Sequence, residues 1–216
     1  MKFIRANFNG DPNIGLYGFA SDGYCLLGNH PKHRQKMEEL LKVKISAAQI
    51  AGTELAGIFA AGNSNGILVS KIADAREKKE IKKALGINIL VIKANATAIG
   101  NLVVCNDKGC IISSKLKKYG KDIAEALNCE TAVGNVAGLH IVGSAAVATN
   151  KGCLCHRDAS EEELKLIEDL LKVKTDIGSI GGSPFVKAGI IANSYGIVVS
   201  EEASGPEMQR IDEVFG

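Results

Sequence analysis

The chain of 216 residues has no apolar run approaching the roughly 18 residues that would suggest a membrane-spanning helix. Its opening residues, MKFIRANFNG, carry charge and polarity where a secretory signal would be apolar, so a cytoplasmic protein without a membrane anchor is expected. A dense cysteine framework is also missing. The six cysteines are scattered, and in a cytosolic setting they are expected as reduced thiols without structural disulfides. Nor is there a strong charge of either sign, since a formal net charge of +2 does not announce a nucleic-acid binder at the level of the whole molecule. No linker or low-complexity segment interrupts the chain, and 46% hydrophobic content is ample for a continuous core, so residues 1–216 are read as one domain.

The near-neutral balance hides an asymmetry. Between Lys71 and Lys121 there are 12 basic and 4 acidic residues, whereas from Glu161 to the end there are 11 acidic and 5 basic. One side of the molecule is expected to be positive. Solvated outer faces of helices are the plain explanation, and a contact with RNA is the functional one.

The strongest pattern is a repeat. Glycines at Gly23, Gly66, Gly109, Gly152 and Gly196 are spaced by 43, 43, 43 and 44 residues. Each lies between two short β-favouring runs, such as Ile58 to Ala61 and Ile67 to Ser70, which reads as a hairpin. Asp22-Gly23 and Asn65-Gly66 suggest two-residue primed turns, because glycine and its Asx neighbour tolerate positive φ. A helical segment follows each hairpin. Ser160-x-x-Glu163 and Ser204-x-x-Glu207 have the form of capping boxes, Asp74-x-x-Glu77 is a third, and Pro31 suits a first helical position. Core candidates on these helices are Met37, Leu40 and Leu41; Ile81, Ala84 and Leu85; Leu164, Ile167 and Leu171; Met208, Ile211 and Phe215. Gly86 is read as a C-terminal stop. A further β-like run follows every helix but the last, and Lys2 to Phe8 holds the same place in the first unit. The units are therefore about 1–43, 44–87, 88–129, 130–173 and 174–216, each strand, hairpin, helix.

Five such units stack openly or close into a ring. An open stack needs polar capping units over its terminal cores, and neither end has one. The expectation is a five-fold pseudosymmetric α/β propeller of ββαβ-type repeats, with strands toward the axis and helices outside. A closed ring is expected to leave few exposed sheet edges, which argues for a monomer.

The wording of the loops adds a family resemblance that spans essentially the whole chain. Ile4-Arg5-Ala6-Asn7-Phe8, Asn13-Ile14-Gly15, the run from Ile50 to Gly57, Gly62-Asn63-Ser64-Asn65-Gly66, Ala98-Ile99-Gly100-Asn101, Val142-Gly143-Ser144, and Ala188-Gly189 with Asn193 carry it in order. Together they resemble the archaeal form of the translation initiation factor 6 family, ribosome anti-association factors of pentein fold. That resemblance implies a factor without cofactor or metal that covers the subunit-joining face of the large ribosomal subunit, docking on a ribosomal protein near the sarcin–ricin loop. A part in large-subunit maturation is also implied. By position, the docking loops are Asn13 to Gly15, Thr53 to Ile58, Thr97 to Asn101, Leu139 to Ile141 and Ser183 to Phe185. The candidate binding residues are Asn13, Gly15, Thr53, Glu54, Leu55, Ile58, Gly100, Asn101, His140, Ser183 and Phe185. Leu55, Ile58 and Phe185 are read as exposed apolar anchors, with Asn101 and Ser183 as rim donors or acceptors. Glu54 and Ile58 stand where eukaryotic members carry basic residues, and the serine-rich C-terminal extension of those members is absent.

Several enzymatic readings are weaker. Gly62-Asn63-Ser64-Asn65-Gly66 spells G-x-S-x-G, but a nucleophile elbow needs a strand-to-helix turn and this one falls in a hairpin. Gly178-Ser179-Ile180-Gly181-Gly182 lacks the lysine of a phosphate-binding loop. In Cys153-Leu154-Cys155-His156, strand alternation puts both thiols on one face and the imidazole on the other, with no fourth zinc ligand nearby. The guanidino-modifying branch of the pentein fold uses a cysteine nucleophile in its last unit; here no cysteine follows Cys155, and no histidine follows Lys174. A non-catalytic protein is expected.

Overall fold

The computed structural model describes residues 2–216. The first hairpin pairs β2 (Gly18–Ala20) with β3 (Cys25–Leu27), α1 (Arg34–Leu41) crosses over, and β4 (Ile45–Ala47) pairs parallel to β3. The same order recurs three times. It runs through β5 (Ala60–Gly62), β6 (Gly66–Ser70), α3 (Ala75–Leu85) and β7 (Asn88–Ile92), then through β8 (Val103–Cys105), β9 (Gly109–Ile112), α4 (Gly120–Leu127) and β10 (Glu130–Val133). The fourth set is β11 (Ala146–Ala148), β12 (Gly152–His156), α6 (Glu161–Leu171) and β13 (Lys174–Gly178). Two one-turn helices, α2 (Ala56–Phe59) and α5 (Val142–Ala145), precede the second and fourth hairpins.

The last hairpin, β14 (Ile190–Ala192) with β15 (Ile197–Ser200), is followed by α7 (Gly205–Phe215) and has no later strand to complete it. The opening strand β1 (Phe3–Ala6) does so instead, pairing parallel from Phe3 opposite Ile197 to Ala6 opposite Ser200. A strand from one end of the chain thus closes a sheet from the other. The five three-stranded sheets form the five-fold α/β arrangement expected of a pentein.

Helices pack between neighbours. α4 lies on β6, α6 on β9, α7 on β12 and α1 on β15, so four of the five long helices touch the central strand of the preceding blade, while α3 packs on its edge strand β4. Their buried residues are Met37 and Leu41, Ile81, Ile123 and Leu127, Ile167 and Leu171, and Ile211, Val214 and Phe215. Burying each such side chain contributes roughly 1.5–3 kcal/mol. Ala84, expected in the core, is exposed because it turns to the outer face of α3.

That packing also corrects the reading of the turn glycines. None of the five has positive φ, and neither has Asp22 or Asn65, so the hairpin turns are not primed. At four of the five, all but Gly23, glycine is required by close approach: a Cβ on Gly66 would lie 2.1 Å from the Ala126 carbonyl oxygen, and one on Gly152 would lie 2.0 Å from that of Val214. The turns are held by the residue that opens them. Asn63 Oδ1 accepts from the Asn65 and Gly66 amides at 3.0 and 3.2 Å, and Asn106 accepts likewise from Lys108 and Gly109.

The capping boxes at Asp74/Glu77, Ser160/Glu163 and Ser204/Glu207 are all formed, and Gly86 ends α3 with φ of 68°. Pro31 is not the first helical residue. It lies in a turn whose carbonyl accepts from Arg34 N at 3.2 Å, and α1 starts only there. Blades pack side by side and each sheet keeps two edge strands, the outer ones contacted by helices and the inner ones by strands of neighbouring blades. Their brevity, three to five residues, limits the template they offer. No helix among the described residues is long and apolar enough to cross a membrane.

Candidate functional site

At one end of the ring, four tight turns precede the hairpins. They are bridged between Phe8 and Asp11, Ile50 and Thr53, Val136 and Leu139, and Ile180 and Ser183. Positive φ at Asn9-Gly10, Ala51-Gly52, Ala137-Gly138 and Gly181-Gly182 makes these the primed turns of the molecule. Three are locked by a carboxylate. Glu77 accepts from the Ala51 and Gly52 amides at 3.0 and 2.7 Å, Glu163 from those of Ala137 and Gly138 at 2.8 and 2.8 Å, and Glu207 from those of Gly181 and Gly182 at 3.1 and 2.9 Å. The same carboxylates close the capping boxes through the amides of Asp74, Ser160 and Ser204. One side chain therefore fixes both a helix start and a rim turn. Burial raises the Glu207 carboxyl, but amides of Ser204 and Gly182 and hydroxyls of Ser179 and Ser204 outweigh it and hold the group at about 2. Glu163 is lowered in the same way, with burial again opposing its amide bonds.

Before each hairpin the chain makes one helical turn, at Ile14–Leu16, α2, Ile99–Asn101, α5 and Val186–Gly189, and all but Ile99–Asn101 follow one of these tight turns. These five contact one another in a closed cycle around the axis. Glycine permits it. A Cβ on Gly57 would stand 2.1 Å from Gly15 O, one on Gly100 2.0 Å from Gly57 O, one on Gly143 2.2 Å from Gly100 O, and one on Gly15 1.8 Å from Lys187 O. The fifth equivalent position holds Lys187 in place of glycine.

The Lys187 side chain crosses the axis, where Nζ donates to Gly57 O at 2.8 Å and Gly100 O at 2.5 Å. The residue is half-buried with its ammonium between these two carbonyls, and burial pushes it down to about 8 against an opposing pull from Cys105. No carboxylate among the described residues forms an ion pair with it. On one side of this lysine an axial cavity runs between the inner strands, past Ala20, Gly62, Cys105, Ala148 and Ala192. On the other side a mouth of about 240 Å³ opens among Gly15, Leu16, Gly57, Asn101, Ile141, Ser144, Phe185 and Ala188.

The structure brings Gly15, Asn101 and Phe185 of the expected residues together at this mouth. Phe185 is 37% exposed and meets the buried His156 ring edge-on at 5.4 Å. Gly100 is buried in the cycle of helical turns, its carbonyl taken by Lys187. The others lie outside the mouth. Thr53 Oγ1 donates to Ile50 O at 3.0 Å and is spent on closing its own turn. Glu54 accepts from Asn29 Nδ2 at 2.6 Å, Asn13 is exposed and bonded to Asp11, and Ser183 Oγ accepts from the Phe185 amide at 3.3 Å. Leu55 and Ile58 are half-buried rather than open. His140 is exposed, its Nδ1 3.0 Å from Asn135 Oδ1.

At the opposite end the hairpin turns interlock. Asn106 Nδ2 donates to Thr149 O and Leu171 O at 3.0 and 2.9 Å, and Asn63 and Asn193 bridge to their neighbours in the same way. Ser64, the serine of the G-x-S-x-G string, donates from N and Oγ to Asp107 at 2.8 and 2.9 Å, which is a staple between blades and not a base–nucleophile pair. Cys153 and Cys155 Sγ lie 3.8 Å apart, as strand alternation requires. Sequence reasoning missed Lys187. The available clue was that Gly57, Gly100 and Gly143 each stand nine residues before their turn glycine, and Lys187 stands nine before Gly196.

Residues 3–214 match the model of the eIF-6 family. A protein called translation initiation factor 6 from Methanococcus vannielii is 40% identical over 175 residues, which is 78% of this chain and 77% of that one. Proteins of the same name from Methanocaldococcus jannaschii and Pyrococcus horikoshii are each 38% identical, over 77% and 79% of this chain and 76% and 78% of their own. Among solved structures, agmatine deiminase of C. jejuni superposes on 63% of this chain and 55% of its own with a TM-score of 0.41 and 16% identity, a likeness too slight to bear on function.

Proposed function

The chain belongs to the eIF-6 family, and on that premise we propose that it binds the large ribosomal subunit at its subunit-joining face and keeps the small subunit from associating. Its named relatives are translation initiation factors and not enzymes, so a role in translation initiation is the broad function, with large-subunit maturation beside it. Action by occlusion needs no catalytic group. The factor works in the cytoplasm, as a monomer, and without cofactor or metal.

The observation that carries this reading is the rim. Five equivalent helical turns face one end in a closed cycle, and the flanking turns are tied down by Glu77, Glu163 and Glu207. A platform ordered before binding loses little conformational freedom on docking. Phe185 supplies an apolar anchor at the mouth, and Asn101 a carboxamide beside it. Asn13, Gly15, Thr53, Glu54, Leu55, Ile58, Gly100, His140 and Ser183 complete the docking loops, which meet a ribosomal protein near the sarcin–ricin loop. The lysines of α3 and of the segment Ser114–Tyr119 are largely exposed and make a secondary contact with ribosomal RNA.

Sucrose-gradient co-sedimentation with separated subunits tests the proposal. Migration with the large subunit alone, and suppressed joining when the small subunit is added, is the expected result. Co-migration with both subunits or neither would overturn it. Phe185→Asp and Asn101→Arg are expected to weaken binding roughly tenfold or more with the fold intact, as for central interface residues. Unchanged binding in both would move the interface elsewhere. The RNA contact predicts affinity falling steeply with salt, and an affinity indifferent to salt would remove it.

A further inference from the structure

The mouth combines features that occlusion of a ribosomal surface does not require. Its wall is apolar, built by Leu16, Ile141, Phe185 and Ala188. Three polar side chains converge on it. Lys187 donates two of its three ammonium N–H groups to carbonyls, while the Asn101 carboxamide and the Ser144 hydroxyl have no hydrogen-bond partner among the described residues. An apolar concavity with a few convergent polar groups is the usual form of a small-molecule site.

The charge selects the ligand. An ammonium held only by carbonyl dipoles lacks a counter-anion, and it stands at the one position of the cycle where the other four units carry glycine. One positive charge against an apolar wall suits a single negative charge. A phosphate dianion would leave charge uncompensated beside Phe185 and Ile141. About 240 Å³ is on the order of eight water volumes at roughly 30 Å³ each, room for a body the size of a benzene ring.

We propose that this mouth binds a small monocarboxylate carried on an apolar body, with the carboxylate on Lys187 Nζ and the body against Phe185, Ile141 and Leu16. Asn101 and Ser144 add hydrogen bonds to the carboxylate or to a polar substituent beside it. The site is independent of the docking role, and a ligand seated there occupies the centre of the rim through which docking is proposed.

Benzoate is the probe, with benzamide as its neutral counterpart, titrated into the isolated full-length protein and followed by amide and lysine Nζ NMR shifts. Saturable shifts at Gly15, Asn101, Ser144 and Ala188 with benzoate are expected, and binding of benzamide at least tenfold weaker, as for loss of a charge-assisted hydrogen bond. Binding should fall as pH rises through about 8, where the ammonium gives up its proton; Cys105 is the titratable group that faces it. Lys187→Met should abolish the shifts, and Asn101→Ala should weaken them. If Lys187→Met fails to fold, the benzoate–benzamide comparison and the pH profile of the unaltered protein decide. No saturable benzoate binding, equal binding of benzamide, or binding retained in a folded Lys187→Met would overturn the proposal.

Discussion

Replacing Gly100 with alanine tests whether the ring depends on backbone contact around its axis. The new Cβ would lie 2.0 Å from Gly57 O, 2.7 Å from Ala60 O and 2.9 Å from Gly57 C. All three are main-chain atoms, so no change of rotamer relieves the overlap. A carbon and an oxygen rest comfortably only beyond about 3.3 Å, which asks the second blade to retreat by roughly 1 Å. It cannot do so alone, because Gly57 is itself pressed against Gly15, and Gly143 against Gly100, in the same cycle. Overpacking typically costs about 1–3 kcal/mol and sometimes more, and here the strain is shared around a closed circuit, so a loss of about 3 kcal/mol or more is expected. At about 2–4 °C per kcal/mol for a chain of this size, Tm should fall by roughly 6–12 °C.

Gly120→Ala is the internal control. That residue has helical dihedrals of −54° and −41°, and its Cβ would meet only Ile112 Cδ1, at 3.8 Å. It should stabilise by about 0.4–1 kcal/mol through the unfolded chain. Urea unfolding and calorimetry on both variants measure the contrast. A Gly100→Ala protein within 1 kcal/mol of its parent would refute the reasoning, since the blades would then be shown to yield freely.

The other expectations concern the ties at the two ends. Asn106→Ala removes two bonds across the blade interface and two within its own turn, and should cost about 2–4 kcal/mol in urea unfolding. Asn106→Thr should recover roughly half of this, because Thr149 at the equivalent position holds its own turn amides at 3.1 and 3.3 Å but cannot reach the next blade with an amide group. Glu207 is held at about 2 against an ordinary 4.5, so its contribution is complete above pH 4.5 and is lost as pH falls toward 2. That interval is worth at most about 3.4 kcal/mol, and solvent screening of a half-buried carboxylate reduces it to roughly 1–2 kcal/mol. Glu207→Gln should flatten the corresponding part of the acid unfolding curve, and an unchanged curve would remove Glu207 as the group responsible.

The repeat was legible in the chain itself, because a hairpin and an amphipathic helix announce themselves through local spacing. Met37, Ile81, Ile167 and Ile211 sit in the core as their periodicity requires, and the Ser160/Glu163 and Ser204/Glu207 boxes form where the residues suggest. The family's loop wording also placed Asn101 and Phe185 at one mouth. What the chain could not disclose lies between units. Gly66 looked like a turn residue, but its lack of a side chain serves a carbonyl 60 residues further on. Glu163 looked like a helix cap, but it also locks the Ala137-Gly138 turn. Lys187 carries no local signal, and only closure of the ring puts its ammonium on the axis against Gly57 and Gly100. Local pattern determined the blades, since their hydrogen bonds and apolar stripes are short-range. Tertiary structure alone decided the axis, because five distant segments meet there and no window of sequence contains more than one of them.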